Sequence, residues 1–130
     1  MENILFHRMF PDFKPREFQC PCAHPFCPKD GMEFWFLSVL QATRRQCAFP
    51  FKINSGFRCA VYNATLDQSS PQSNHIKGIA ADISISRLSA KEKYTLHSEA
   101  FLRFNGVGVY PTFLHVDLRS SSNRSFWTGL

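Results

Sequence analysis

The chain lacks any run of about 18 apolar residues, the length a membrane-spanning helix needs, so no membrane insertion is expected. It opens Met1-Glu2-Asn3-Ile4-Leu5-Phe6-His7-Arg8, without the basic-then-apolar pattern of a secretory leader. We therefore expect synthesis in the cytoplasm without a signal peptide. Concentrated positive charge is also missing: among 15 Lys and Arg residues, Arg44-Arg45 is the only adjacent pair. That excludes a basic tail of the kind that binds nucleic acid, and no nucleic-acid partner is expected. Five cysteines cannot all pair with one another. With no secretory leader, the odd count argues for thiols or metal ligands over a disulfide framework. No internal repeat is found.

What remains is a 130-residue chain, a length that favours one domain around one core. Apolar residues make up 44% of it and Phe occurs 14 times. Some of these rings must be core, and a few are expected to line a cleft. The net charge of +5 suits an anionic partner. A monomer is expected.

Residues 1–30 hold five of the eight prolines and three of the five cysteines. Pro11, Pro15, Pro21, Pro25 and Pro28 exclude a long helix, so the segment reads as an irregular arm anchored by Phe6, Phe10, Phe13 and Phe18. Helical spacing of Met32, Phe36, Val39, Leu40 and Thr43 predicts a helix over 31–47, with Gln41, Arg44 and Arg45 opposite. A strand follows at 51–55, a short helix at 61–66 and a polar loop at 67–74. Residues 79–85 alternate with period two: Ile79, Ala81, Ile83 and Ile85 share one face, and Asp82 lies on the other. Ser89 and Glu92 form a capping box that opens a helix to about Phe104, with Tyr94, His97, Phe101 and Phe104 on one stripe. Two strands, 107–110 and 113–118, come next, joined through Pro111-Thr112. In the second, His115, Asp117 and Arg119 share a face opposite Leu114, Val116 and Leu118. The tail reads as a flexible turn before Phe126-Trp127. Helices and strands mixed in this order predict an α+β fold with an antiparallel sheet and flanking helices.

Two stretches carry the chemistry. Ser73-Asn74-His75-Ile76-Lys77-Gly78-Ile79-Ala80-Ala81-Asp82 places an imidazole and a carboxylate seven positions apart, and His115-Val116-Asp117 supplies a second imidazole. His75, Asp82 and His115 would give two nitrogens and one oxygen, the three-ligand set that leaves a catalytic zinc an open position. Taken by pattern alone, the same residues also fit a loop-capping histidine and a core histidine.

The ordered motifs resemble the M15 family of zinc-dependent peptidases, in the branch of small D-Ala-D-Ala carboxypeptidase-like domains sometimes found in phage. They are Glu17-Phe18-Gln19-Cys20, Ile53-Asn54-Ser55-Gly56-Phe57-Arg58-Cys59, Tyr62-Asn63, Ser73 to Ile83, Gly106 to Tyr110, and His115 to Arg119. The resemblance implies a hedgehog/DD-peptidase-like fold, a single zinc peptidase domain over 1–130 with 1–30 as its arm, and Zn2+ held by His75, Asp82 and His115. It implies bacterial peptidoglycan peptides as the substrate, cut by a carboxypeptidase or endopeptidase activity. A cytoplasmic wall hydrolase would suit phage lysis, acting after release. Arg58 falls on the arginine that stabilises the oxyanion or holds substrate, and Ser73 would bind substrate or buttress a ligand.

Three departures stand out. Many relatives carry an acid three residues before the last histidine, where this chain has Thr112. Asp117 is then the alternative base; it would otherwise orient a ligand histidine or pair with Arg58 or Arg119, and a non-catalytic domain of the same fold is the third option. The loop before His75 is Asp67-Gln68-Ser69-Ser70-Pro71-Gln72 instead of Gly-rich. The arm carries Cys20, Cys22, His24 and Cys27, either free thiols or a small zinc site with His24 as fourth ligand. Cys47 and Cys59 read as packing residues.

Overall fold

The computed structural model describes residues 4–66 and 70–129. The first three residues, positions 67–69 of the expected polar loop and residue 130 lie outside them. Four helices, α1 (Ile4–Met9), α2 (Phe34–Cys47), α3 (Ala60–Ala64) and α4 (Ala90–Arg103), combine with five strands. These are β1 (Ile53–Ser55), β2 (Ala80–Ser84), β3 (Gly106–Val109), β4 (Phe113–Asp117) and β5 (Ser125–Thr128). The fold is α+β, as expected.

The sheet order is β1-β2-β4-β3-β5. The β1–β2, β2–β4 and β3–β4 pairs are antiparallel, but β5 adds parallel to β3, so the sheet is mixed. The segment that read as a flexible tail thus closes an edge of the sheet: Ser120 accepts from the Ser122 amide, and a short 3-10 turn leads into β5.

Alternation along β2 and β4 sends Ala81, Ile83, Leu114 and Val116 into the core. Helices α2 and α4 cover that face, with the Phe36 and Phe104 rings 5.7 Å apart. The capping box on α4 is present: the Glu92 amide donates to Ser89 Oγ at 3.1 Å, and the Ser89 amide to Glu92 Oε1 at 2.9 Å. The buried stripe of α4 runs through Leu96, Ala100 and Phe104, while Tyr94 is 76% exposed. The buried stripe is therefore rotated from the expected Tyr94, His97, Phe101 and Phe104 line, with the small Ala100 at its centre and the Tyr94 ring turned to solvent. Gln41, expected on the polar side of α2, is buried and donates to Asp12 Oδ2 at 2.6 Å.

Pro15 starts a 3-10 turn, and the arm is otherwise irregular apart from α1. Its Phe6, Phe10, Phe13 and Phe18 are all buried in the main core. Phe6 and Phe10 meet edge to face at 5.0 Å, Phe13 and Phe18 at 5.4 Å. A fully buried ring of this kind contributes roughly 1.5–3 kcal/mol, so the arm is part of the core it covers. Among the described residues, no helix is long and apolar enough to cross a membrane.

Candidate active site

The face of the sheet away from α2 and α4 carries the polar residues of β2 and β4. Antiparallel register sets Asp82 directly opposite His115, and Ala80 opposite Asp117. Opposed side chains on one face of a sheet lie close enough to touch, and His115 Nδ1 is 3.0 Å from Asp82 Oδ1. His75 arrives from the preceding turn. Its backbone amide donates to Ser73 Oγ at 3.2 Å, and Gly78, at φ 73°, reverses the chain toward β2. Positive φ favours glycine there.

His75 Nδ1–H donates to the Gly56 carbonyl at 2.8 Å, which leaves Nε2 to face Asp82 Oδ2 at 3.4 Å. The ligand atoms of His75, Asp82 and His115 all lie within 4.8 Å of one another. His75 and Asp82 are buried, and His115 is partly open to a cleft of about 750 Å³. The structure therefore gathers all three sequence-predicted ligands. Two imidazoles and one carboxylate beside an open cleft fit a three-ligand metal site with a free position.

Electrostatics fit the same use. Burial pushes the Asp82 carboxyl up, but hydrogen bonds from His115 and His75 outweigh it and hold Asp82 well below the usual carboxylate range. Burial pulls His115 down, yet its bonds to Asp117 and Asp82 raise it overall. A metal entering here displaces a proton from His115, so its affinity rises with pH.

Arg58 lines the cleft, with Nη2 3.5 Å from Asp82 Oδ2. Its Nε donates to Ser55 Oγ at 3.1 Å and its Nη1 to Asn63 Oδ1 at 3.3 Å. Held on these sides, the guanidinium is preorganised. Ser73 also lines the cleft, with its hydroxyl engaged by the His75 amide.

Asp117 sits elsewhere. It is fully buried behind His115, and its Oδ2 accepts from His115 Nε2 at 2.7 Å. Arg119 grips it through Nε at 2.9 Å and Nη2 at 2.8 Å, and the Arg119 amide donates at 3.1 Å. Burial raises the Asp117 carboxyl, but the Arg119 and His115 bonds outweigh that and depress it strongly. Gly106 makes room: a Cβ there would stand 2.3 Å from Asp117 Oδ1. Thr112 is exposed in the β3–β4 turn and lines a different cavity, with Lys52, Ser84 and Arg87.

Sequence reasoning missed part of the cleft wall. Trp127, brought in by β5, donates from Nε1 to Tyr110 Oη at 2.9 Å, and Arg119 lies over its ring at 5.0 Å. The Gly56 carbonyl that sets the His75 tautomer was not anticipated either, although Gly56 sits inside a recognised motif.

A family model described as peptidase M15 matches residues 11–117, most of the chain and all three donors of the cleft. The chain belongs to the peptidase M15 family. Members of this family are metal-dependent peptidases, and the donor set in the cleft is where such a metal fits. No individual curated protein matches the chain.

Proposed function

We propose that this M15 protein is a zinc peptidase that hydrolyses bonds involving D-amino acids in peptidoglycan stem peptides or cross-links. The observation that carries the proposal is the convergence of His75, Asp82 and His115 at the base of a cleft that Arg58 lines. Zinc held by these residues would supply Lewis-acid polarisation of a carbonyl and an acidified water.

The residues around them have separable tasks. Arg58 donates to the carbonyl oxygen as charge develops on it, a preorganised donor of the oxyanion-hole kind. Ser73 fixes the turn that presents His75. Asp117 is a positioning residue: it accepts from His115 Nε2–H and so directs Nδ1 to the site. Its burial and its fork to Arg119 favour this over a role as base. The cleft lining carries Arg58, Lys77 and Arg119 against the single carboxylate Asp82 among the described residues. That positive balance suits a peptide with free carboxylates, as stem peptides have.

The same lining supports a second reading. With Thr112 in another cavity and Asp117 shielded, the cleft offers no dedicated carboxylate base among the described residues, as a wall-peptide-binding domain would not need one. Digestion of purified peptidoglycan by the zinc-loaded protein, followed by mass spectrometry of the muropeptides, separates the two. New peptide ends that His75→Ala does not produce support the peptidase. Binding of muropeptides without cleavage would support the second reading instead.

A further inference from the structure

Away from the cleft, the arm and the start of α3 bring four cysteines together. Cys20, Cys22, Cys27 and Cys59 have their sulfurs all within 4.8 Å of one another. Cys59 Sγ is 3.7 Å from Cys20 Sγ and 3.6 Å from Cys22 Sγ. A disulfide needs about 2.05 Å. A tetrahedral zinc with Zn–S bonds of about 2.3 Å sets its sulfurs about 3.8 Å apart, close to the spacing of these two pairs.

Backbone amides point at the sulfurs as they do at thiolates. The Cys59 amide donates to Cys20 Sγ at 3.4 Å, the Tyr62 amide to Cys59 Sγ at 3.4 Å and the Lys29 amide to Cys27 Sγ at 3.3 Å. Lys29 adopts φ 66°, an unusual conformation for a side-chain-bearing residue, as the loop turns back after Cys27. The Lys29 ammonium donates to the Cys22 carbonyl. Cys20 and Cys59 are buried, and Phe57, Met32 and Tyr62 pack around the group. His24, the fourth ligand in the zinc alternative to free thiols, is turned to its own loop, where its Nδ1 accepts from the Phe26 amide at 3.2 Å. Cys59 takes that fourth place.

Residues 19–33 contain no helix or strand. A loop of this length inside a compact fold needs something to hold it. Bonding the four sulfurs to a common centre would supply such a hold.

We propose that Cys20, Cys22, Cys27 and Cys59 form a closed four-sulfur structural zinc site, distinct from the donors of the cleft. Four thiolates in a tetrahedral set select zinc or iron among common metals, and zinc needs no redox partner. The site ties the arm to the residue after Arg58. Cys59 is also the N-cap of α3, whose Asn63 holds the Arg58 guanidinium. The zinc thereby anchors the segment that aims Arg58 into the cleft.

The test is metal content by mass spectrometry, on wild type, the His75→Ala/His115→Ala double variant and Cys59→Ser. Wild type should carry about two zinc ions per chain and each variant about one. Should Cys59→Ser fail to fold, the double variant keeps all four cysteines and decides alone. Loaded with cobalt, it should show the near-ultraviolet thiolate-to-metal charge-transfer band. If the cleft itself bound no metal, wild type and the double variant would both hold about one ion with that band, and this site would still stand. A double variant that binds no metal, and whose thiols react freely under native conditions, would overturn the proposal. A red, iron-containing protein would overturn the choice of zinc.

Discussion

The cleft donors ride on paired strands and the turn before them, whereas three of the four cluster cysteines hang on a loop with no regular structure. In the cleft, register sets Asp82 against His115, Gly56 and Asp117 hold the two histidines from behind, and Arg58 faces Asp82 from the cleft wall. In the cysteine cluster, the loop is closed by a few hydrogen bonds, such as Cys20 N to Lys29 O at 3.0 Å and Gln19 Nε2 to Asp30 Oδ1 at 3.0 Å, and by packing on Phe57, Met32 and Tyr62. The first site is preformed and partly open, as catalysis requires. The second is closed by its own ligands, as a staple must be. Metal removal should therefore affect the two differently: loss of the cleft metal abolishes activity with a small change in melting temperature, and loss of the cluster metal loosens the fold.

The contrast breaks most visibly at His115. His115→Ala should reduce peptide hydrolysis to background while circular dichroism and melting stay near wild type. A large loss of stability would mean that the cleft is not held by register. Next in size is Arg58. Arg58→Ala should lower kcat by about 10²–10³-fold, the usual cost of one oxyanion donor, with metal content unchanged by mass spectrometry.

Asp117 gives a smaller and more discriminating effect. Asp117→Asn should weaken metal affinity by about 10–100-fold, with kcat recovering when zinc is saturating. A kcat that stays collapsed at saturating zinc would make Asp117 the base and contradict its positioning role.

Cys47 supplies the mildest contrast, being the one cysteine outside the cluster. Burial in the core pushes its thiol up to about 11. The unfolded chain ionises first, near pH 8.5, so the folded state loses stability as pH rises from there through the raised value. The loss should be on the order of 1–2 kcal/mol. Denaturant titrations of wild type and Cys47→Ala across that window should show a shallower alkaline decline in the variant.

Much of this was legible from local pattern. The period-two alternation of 79–85 and 113–118 put Asp82 and His115 on the non-core face, and the capping box at Ser89 placed the start of α4. The ligand set came from the resemblance of the ordered motifs; residue type and spacing alone left a loop-capping and a core histidine open. The parts that escaped depend on distant partners. β5 is four residues long and pairs in parallel with β3, so neither a hairpin turn nor a long alternation marks it. Cys59 joins the arm cysteines because the Phe57 amide donates to the Phe18 carbonyl at 2.9 Å, drawing two segments together from far apart in the chain. Asp117 shares a strand face with His115, but its burial depends on Arg119, Gly106 and the β3 pairing. Periodicity assigns a face; it does not say what covers it.

The most direct test of the central claim is peptide release from purified peptidoglycan by the zinc-loaded protein, compared with His115→Ala under the same conditions. The account predicts new stem-peptide ends with wild type and none with the variant. Equal release by both would contradict it, because catalysis would then not depend on the donors that the sheet brings together.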